Sequence, residues 1–287
     1  MKPVWLKKRL SEPGVMAMKD NLRHLKLHSV CEEARCPNLS ECFSKKIATI
    51  MIMGDICTRA CKFCAVKTGR PLALDPKEPQ NVAEWVKEMG LRHVVITSVD
   101  RDDLPDLGAN HFAETIKVVG AFNPHTKIEV LTPDFQGRAE LIKIVCEASP
   151  LVFNHNLETV RRLTPQVRSA AKYETSLFVI KWVKDNFPSM ITKSGLMLGL
   201  GETVDETIEA MKDLRSAGCD MLTLGQYLQP TSKHLPVIDY IQPSVFDSLK
   251  DRGTKMGFRA IFSGPFVRSS YMAEHIFEES FFGDFSV

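Results

Sequence analysis

The cysteines are the residues whose spacing points most directly to chemistry. Six of the eight fall into two tight groups within the first 64 residues. The N-terminal triplet lies in CEEARCPNLSEC and the central triplet in DICTRACKFCAV, and in chain order they are Cys31, Cys36, Cys42, Cys57, Cys61 and Cys64. Four thiolates saturate the four-iron cluster of an electron carrier, whereas three leave one iron open. Because an open position is where a substrate or cofactor binds, the spacing predicts reactive iron–sulfur chemistry.

A zinc site is one alternative, because three cysteines completed by a histidine or an aspartate also bind metal. His93 belongs to a predicted strand and is a poor candidate for the fourth ligand. A zinc-stapled binding module would be colourless and would contain no acid-labile sulfide. A plain electron-transfer protein is a second alternative, although it needs neither three-cysteine sites nor a chain of this length.

The remaining cysteines, Cys146 in AELIKIVCEAS and Cys219 in RSAGCDML, are interpreted as buried structural residues. Clustered thiols without an export signal indicate a reducing compartment. MKPVWLKKRL has no apolar core or cleavage site behind it, and no uncharged apolar window is long enough to span a bilayer. We therefore expect a cytoplasmic protein with no membrane partner.

Composition sets the broad class of the protein. The chain is 44% hydrophobic and 25% charged, which is typical of a soluble globular protein. Its formal net charge of +2, from 37 basic and 35 acidic residues, gives no electrostatic basis for nucleic-acid binding. The length of 287 residues allows one large α/β domain, and no Ser/Gly-rich linker divides it.

From residue 47 onward, short apolar runs rich in β-branched residues alternate with amphipathic segments, which predicts repeated βα units and a parallel sheet. The predicted strands span residues 47–53, 93–97, 127–131, 150–154, 195–200 and 220–225. Six strands are too few for a closed eight-stranded barrel. We therefore predict an α/β fold with a partial (β/α)6 TIM-type barrel over 47–225, flanked by an N-terminal extension, 1–46, and a C-terminal extension, 226–287.

The predicted helices include one that begins in NLETVRRLTP, residues 156–165, and runs on to KYETSLFVIKWVKDNF. In a barrel, the loops at the C-terminal ends of the strands build the active site. The central triplet follows the first predicted strand directly, which places it at that end of the sheet.

Several motifs carry a family resemblance. CTRACKFC has the Cys-x3-Cys-x2-Cys spacing, with an aromatic residue before the last cysteine, of the radical S-adenosylmethionine (SAM) enzymes. CEEARCPNLSEC is similar to the auxiliary-cluster motif of the lipoyl synthase family. Further segments that resemble this family extend from residue 2 to about 273, and they are KPVWLK, TSVDRDDL, FNHNLETV, SGLMLGLGET, LGQYLQPT and GPFVRSSY.

The resemblance implies a radical SAM sulfurtransferase that inserts sulfur at C6 and C8 of a protein-bound octanoyl chain. Its cofactors would be SAM and two 4Fe-4S clusters, of which the auxiliary cluster supplies the sulfur. Its partners would be octanoylated lipoyl carrier domains, of 2-oxoacid dehydrogenase E2 or glycine cleavage H protein, and a low-potential donor of ferredoxin or flavodoxin type. A sulfur-inserting enzyme of biotin synthase type is the alternative, although it would lack the N-terminal triplet.

The resemblance also assigns cluster ligands. The central triplet would hold the SAM-binding cluster, and the N-terminal triplet together with Ser270, the second serine of RSSY, would hold the auxiliary cluster. A serine oxygen is a harder ligand than a thiolate, which suits a cluster that must come apart. A polar helix start over residues 268–271 is the alternative interpretation of this segment.

The segment NHNLET is similar to the one by which biotin synthases contact SAM. Asn156 and Glu158 are therefore candidates for binding the ribose hydroxyls, since an amide and a carboxylate are natural partners for them. An Asn-capped helix start is the alternative. DRDD, residues 100–103, is expected to be a solvated loop or part of the SAM pocket. Leu107 and Asp239 depart from the family pattern, where glycine and arginine are expected.

Overall fold

The computed structural model describes residues 2–7, 14–45 and 47–270 of the 287-residue chain. Its strands are β1 His28–Ser29, β2 Thr49–Ile52, β3 Ile56–Cys57, β4 Lys67–Thr68, β5 His93–Ser98, β6 Lys127–Leu131, β7 Val152–Asn154, β8 Ile191–Leu198, β9 Met221–Gln226 and β10 Ala260–Gly264. Its helices are α1 Val15–His24, α2 Val30–Glu33, α3 Leu39–Ser44, α4 Glu78–Met89, α5 Ala109–Phe122, α6 Ala139–Glu147, α7 Thr164–Val167, α8 Tyr173–Asn186, α9 Val204–Ser216 and α10 Pro243–Lys255. Short 3-10 turns cover Val4–Leu6 and Phe135–Gly137.

The main sheet has eight strands in the order β1-β2-β5-β6-β7-β8-β9-β10. From β2 to β10 every neighbouring pair is parallel, and β1 runs antiparallel to β2. Successive βα units of one hand place their strands side by side in this way. Within the described residues, the edge strands β1 and β10 do not pair with each other, so the sheet is open. The predicted α/β fold with a partial barrel is confirmed.

All six predicted strands are present, as β2 and β5 to β9, with ends that differ by a few residues. β8 begins at Ile191, four residues before the predicted start at residue 195. The prediction missed this part of the strand because Thr192, Lys193 and Ser194, although buried, interrupt the apolar pattern. The sequence pattern does not predict β10, in which a short apolar run is followed at once by Ser263 and Gly264. Because β10 pairs with β9, the sheet continues past residue 225.

In the described chain, the helix predicted to begin at residue 156 does not form there. Glu158 has a φ of 68°, a left-handed value that a continuing right-handed helix excludes. Glu158 N donates to Gly195 O at 2.9 Å, and Met197 N donates to Glu158 O at 2.8 Å. The backbone of this segment therefore pairs with β8, and the Asn-capped helix start is wrong. Only the second half of the predicted helix is confirmed, as α8.

The helices cover the outer face of the sheet with large apolar side chains. α4 and α5 pack against each other and bury Trp85 and Phe112 completely. Full burial of a Phe side chain contributes about 1.5–3 kcal/mol. Cys146 and Cys219 are 1% and 0% exposed, which confirms their interpretation as buried residues. Among the described residues, no helix is long and apolar enough to cross a membrane.

A polar layer lies inside the curl of the sheet. Lys193 Nζ, on β8, lies 2.8 Å from Glu129 Oε1, on β6, and Asn154 Nδ2 donates to the same oxygen at 3.1 Å. Burial raises the pKa of Glu129, but Lys193 and His93 together lower it by more, to about 2. Since Asn154 immediately precedes the loop that follows β7, this layer fixes the point at which that loop leaves the sheet.

Candidate active site

A cavity of about 490 Å³ lies where the parallel strands end. Ser98 of β5, Leu131 of β6, Met197 of β8 and Gln226 of β9 all contribute to its wall. Each of these residues is at or next to the C-terminal end of its strand. This is the end of a parallel sheet at which barrel enzymes build their active sites. The cavity therefore lies at the predicted end of the sheet.

The central triplet lines this cavity with Cys57, Cys61 and Cys64. Cys57 Sγ accepts hydrogen bonds from Arg59 N at 3.4 Å and from Asp100 N at 3.3 Å. Burial raises the pKa of the Cys57 thiol to about 11 and that of Cys61 to about 12. Such thiols become thiolates when a metal replaces the proton. Three soft sulfur donors that meet in one cavity fit an iron–sulfur cluster.

Arg59, inside the central triplet, ties the cysteine loop to the loops after β5 and β6. Its Nε donates to Asp102 Oδ2 at 2.7 Å, and its Nη2 and Nη1 lie 2.9 Å from Asp134 Oδ1 and 3.4 Å from Asp100 Oδ1. The guanidinium holds the pKa of Asp102 at about 2. Charge-assisted bonds to a buried Arg are strong and directional. The DRDD loop is therefore built into this network, and the expectation of a solvated loop is wrong.

A segment after β9 also holds the central triplet. His234 Nε2 lies 2.9 Å from Cys64 O, and His234 Nδ1 lies 2.8 Å from Thr231 Oγ1. Because a carbonyl oxygen only accepts, Nε2 donates this hydrogen bond to Cys64 O. Leu235 N donates to Lys62 O at 3.1 Å, which adds a second attachment. These contacts make residues 231–235 part of the site.

The N-terminal triplet is carried by two short helices and the turn between them. Cys31 lies in α2, Cys42 in α3 and Cys36 between them. Cys31 and Cys36 line the cavity, whereas Cys42 is 6% exposed and stands outside the described wall. Burial raises the pKa of Cys31, and the charges of Cys36 and Cys42 add to the rise. The two helices and the turn between them thus carry a second set of three sulfur donors, the type of ligand that holds an iron–sulfur cluster.

The C-terminal segment brings the RSSY motif to the same cavity. Its lining residues are Val267, Arg268, Ser269 and Ser270. Ser269 Oγ accepts a hydrogen bond from Asn156 Nδ2 at 3.1 Å. Ser270 is the last described residue, and Tyr271 of the motif lies outside the described chain.

Asn156 and Glu158 are neighbours on the cavity wall. Asn156 Nδ2 donates to Glu158 Oε1 at 3.0 Å. Asn156 Oδ1 is buried and accepts no hydrogen bond from the described residues. Burial raises the pKa of the Glu158 carboxyl, against the opposing charge of Arg168. Because buried acceptors are almost always paired, Asn156 Oδ1 marks a place for a bound hydrogen-bond donor.

Gly195 is a site residue that sequence reasoning missed. A Cβ there would lie 2.7 Å from Thr223 Oγ1 and 2.9 Å from Asn156 Oδ1, so only glycine leaves room on this wall. The predicted strand begins at this residue, so the sequence pattern offers no sign that the glycine lies inside a strand, as it does in β8. Gly199, with a φ of +101°, faces the side chain of Gln226 instead of the cavity.

The two departures from the family pattern lie outside the described cavity wall. Leu107 has a φ of 52°, a left-handed conformation that glycine adopts without strain, and its side chain is 6% exposed. Asp239 is exposed in the segment after β9, where its backbone oxygen accepts from Gln226 Nε2 at 3.0 Å.

Comparison with known proteins defines the class first. The model of the Radical SAM superfamily matches residues 51–214. The structure of methylornithine synthase (PylB) has a TM-score of 0.56 and 14% identity, over 86% of this chain and 82% of that chain. The structure of TYW1 with a lysine-pyruvate adduct has a TM-score of 0.56 and 15% identity, over 86% and 90%. The fold and the cysteine site define a radical SAM enzyme.

Curated relatives identify the family. The lipoyl synthase of Thermus thermophilus is 55% identical over 282 residues, which cover 97% of this chain and 87% of the relative. That of Hahella chejuensis is 56% identical over 275 residues, which cover 95% and 83%. The chain belongs to the lipoyl synthase family.

Membership of this family confirms the expected enzyme class and cofactors. The chain is a radical SAM enzyme of lipoyl synthesis that uses SAM and 4Fe-4S clusters to insert sulfur. It acts on a lipoyl-carrier substrate and depends on a reductant. The zinc module, the electron carrier and the enzyme of biotin synthase type do not agree with these relatives.

Proposed function

We propose that the central triplet holds the SAM-binding cluster, and that the N-terminal triplet with Ser270 holds the auxiliary cluster that supplies sulfur. The supporting observation is that Cys31, Cys36 and Ser270 line the same cavity as the central triplet. Sulfur must reach a carbon atom from which hydrogen has been removed, so both cluster sites need to face one substrate space.

The chain itself positions the reactants and keeps water away from them. When bound, the cluster and SAM together supply the one-electron chemistry that removes hydrogen from an unactivated carbon. The Arg59 network and His234 hold the cysteine loop in place for that cluster. Apolar wall residues such as Val99, Leu131 and Met197 offer a dry surface to an octanoyl chain.

Asn156 and Glu158 bind the ribose of SAM in this proposal. Asn156 Oδ1 is a buried acceptor without a partner among the described residues, and Glu158 offers carboxylate oxygens beside it. Two vicinal hydroxyls each carry a hydrogen to donate, so they complement this pair of acceptors. Gly195 leaves the space in which the sugar approaches the wall.

Ser270, rather than Ser269, is the proposed fourth ligand of the auxiliary cluster. Ser269 Oγ is already engaged by Asn156 Nδ2. Ser270 follows it in the chain and lines the same cavity as Cys31 and Cys36. An alcohol oxygen is a poorer match for iron in a sulfide cluster than a thiolate is, which suits a cluster that gives up sulfur.

The finer partner assignments follow from the family. We propose octanoylated lipoyl domains of 2-oxoacid dehydrogenase E2 or glycine cleavage H protein as substrates, and a ferredoxin or flavodoxin as the reductant. The proposed location is the cytoplasm. By function, the chain divides into residues 1–46 with the N-terminal triplet, residues 47–225 with the SAM-cluster barrel, and residues 226–287 with the RSSY motif.

Alanine substitution of each triplet tests the ligand sets. The wild-type chain should bind about eight irons after anaerobic reconstitution. C57A/C61A/C64A should lose about half of the iron and all SAM cleavage, because the SAM-binding cluster has no remaining ligands. C31A/C36A/C42A should also lose about half of the iron but should still cleave SAM. Iron is measured colorimetrically and 5'-deoxyadenosine by chromatography.

The matched control is C146A/C219A, which removes two buried cysteines that lie outside both triplets. This variant should keep the full iron content, SAM cleavage and lipoyl formation. If both triplet variants fold but neither cleaves SAM, the division into two sites is wrong. An iron loss in the control as large as that in a triplet variant would also contradict the ligand sets.

A further inference from the structure

Asn38 lies between Cys36 and Cys42 and is 1% exposed. It occupies the N-cap position of α3, where an Asn side chain ordinarily accepts from a backbone N–H of the first helical turn. Here the side chain makes no such capping bond. Instead, Asn38 Nδ2 donates to Phe266 O at 2.7 Å. A buried amide at the helix start is thus committed to a distant part of the chain.

The peptide that Asn38 reaches is the one that carries Ser270. This peptide leaves the sheet at Gly264, the end of β10, and turns through a hydrogen bond from Val267 N to Gly264 O at 3.1 Å. Asn38 meets it at Phe266, four residues before Ser270 and 228 positions away along the chain. The bond therefore joins the loop between two auxiliary-cluster cysteines to the segment that brings the serine.

We propose that Asn38 is a positioning residue for the fourth ligand of the auxiliary cluster. It holds residues 264–270 against the loop between Cys36 and Cys42, so that Ser270 stands beside the iron that the three thiols leave open. This inference rests on the ligand set proposed above. A weakly matched oxygen ligand does not by itself hold a free chain segment at iron, because ordering that segment costs entropy.

The chemistry of the contact requires an amide at position 38. Phe266 O only accepts hydrogen bonds, so its partner must donate. Asn38→Asp has nearly the same shape but turns an oxygen toward the carbonyl oxygen, which repels it. Asn38→Ala removes the donor without adding a charge. It replaces Asn38→Asp as the test variant if the carboxylate of Asn38→Asp prevents folding.

The experiment isolates the auxiliary cluster in the C57A/C61A/C64A background. N38D, N38A, S270A and N38D/S270A are reconstituted and exposed briefly to oxidant. The fraction of clusters that lose their open iron is read from the electron paramagnetic resonance signal of the three-iron form. S270A and N38D should each raise that fraction several-fold. The double variant should exceed neither single variant by much, because both changes remove the same ligand from the iron.

Asn123→Asp is the matched control. Asn123 is also buried, and its Nδ2 donates to a distant backbone carbonyl, Ala83 O, at 3.0 Å, away from the cavity wall. N123D should lower thermal stability without raising iron loss. This separates a general loss of stability from a specific loss of the serine ligand.

The outcomes test the ligand set and the role of Asn38 separately. If S270A loses no more iron than the C57A/C61A/C64A background with Ser270 intact, the proposed ligand set is wrong. Iron loss that rises in S270A but not in N38D or N38A, or that adds fully in the double variant, would overturn the role of Asn38 alone. Failure of both N38 variants to assemble any auxiliary cluster, with S270A and N123D intact, would mean that Asn38 shapes the cysteine loop and would also overturn the proposal.

Discussion

The Asn156 side chain donates two hydrogen bonds and has one acceptor atom to offer a ligand. Its Nδ2 is shared by Glu158 Oε1 and Ser269 Oγ, while its Oδ1 is buried without a partner among the described residues. A buried acceptor left unpaired costs about 1–3 kcal/mol. A ligand that donates a hydrogen bond to this oxygen removes that cost on binding. Asn156 therefore favours the binding of a ligand that carries a hydroxyl group.

Asn156→Ala should therefore weaken SAM binding about tenfold, which corresponds to about 1.4 kcal/mol. The measurement is equilibrium binding of SAM to the reconstituted enzyme. Asn186→Ala, at the exposed end of α8 where Asn186 Nδ2 donates to Trp182 O, is the control and should leave affinity unchanged. An unchanged dissociation constant for N156A would remove Asn156 from the SAM site.

Ser270 should separate SAM cleavage from sulfur insertion. S270A should keep SAM cleavage and most cluster assembly, because three thiolates remain, but should lower lipoyl formation. S270C should keep the cluster yet resist ligand release, because thiolate is the softer match for iron. The ratio of 5'-deoxyadenosine to lipoyl product should rise in both variants. Wild-type product yield from S270A would show that this serine is structural.

The cysteines can be proposed as ligands from the sequence because each triplet is local in it. The residues that hold these cysteines in place were not predictable, because their partners are remote. His234 lies 170 positions from Cys64, and Asn38 lies 228 positions from Phe266. A single sequence carries no periodicity or spacing that links such pairs, so only the folded chain shows them.

At the scale of strands, the partial barrel contains a buried charge pair. Glu129 on β6 and Lys193 on β8 are 1% and 0% exposed and face each other inside the sheet. Removing one member of such a pair leaves an uncompensated charge, which costs about 3–5 kcal/mol, whereas replacing both with apolar residues is often tolerated. The pair therefore specifies how β6 and β8, which flank β7, are placed relative to each other more than it adds net stability.

Glu129→Gln should lower the free energy of unfolding by about 3–5 kcal/mol at neutral pH. Because the pKa of Glu129 is lowered from 4.5 to about 2, its contribution is present above pH 4.5 and is lost as the pH falls toward 2. The deficit of E129Q should therefore shrink on acidification. Urea unfolding followed by circular dichroism at about pH 7 and about pH 4 measures it.

The double variant E129L/K193M is the control for this pair. It should be more stable than E129Q, because no buried charge is left alone. A wild-type unfolding free energy for E129Q at neutral pH, or a deficit that does not change with pH, would contradict the paired state of Glu129.

The strands were predictable where apolar β-branched runs are unbroken, as in β5 and β6. The start of β8 was not predictable, because a lysine in a sequence indicates an exposed position. Only the folded chain shows that Lys193 is buried beside Glu129. The helix predicted at residue 156 failed for a related reason. The sequence shows a capping pattern there, but the Glu158 backbone pairs with β8.

At the scale of the whole molecule, one cavity collects groups from both ends of the chain. The N-terminal triplet precedes β2, the central triplet follows it, and Ser270 comes after β10. The open sheet allows this, because a partial barrel leaves its mouth free for flanking segments to complete the wall. We propose that these groups form two sites with separate tasks, SAM cleavage and sulfur supply.

The most direct measurement follows the sulfur atoms. The enzyme is reconstituted anaerobically with sulfide enriched in a heavy isotope, then incubated with SAM, reductant and an octanoylated carrier peptide, and the peptide is weighed by mass spectrometry. We expect both inserted sulfurs to be heavy, with a yield of at most about one lipoyl group per chain when no repair system is present. C31A/C36A/C42A should form 5'-deoxyadenosine and no lipoyl group. Light sulfur in the product, or lipoyl product from that variant, would contradict the account.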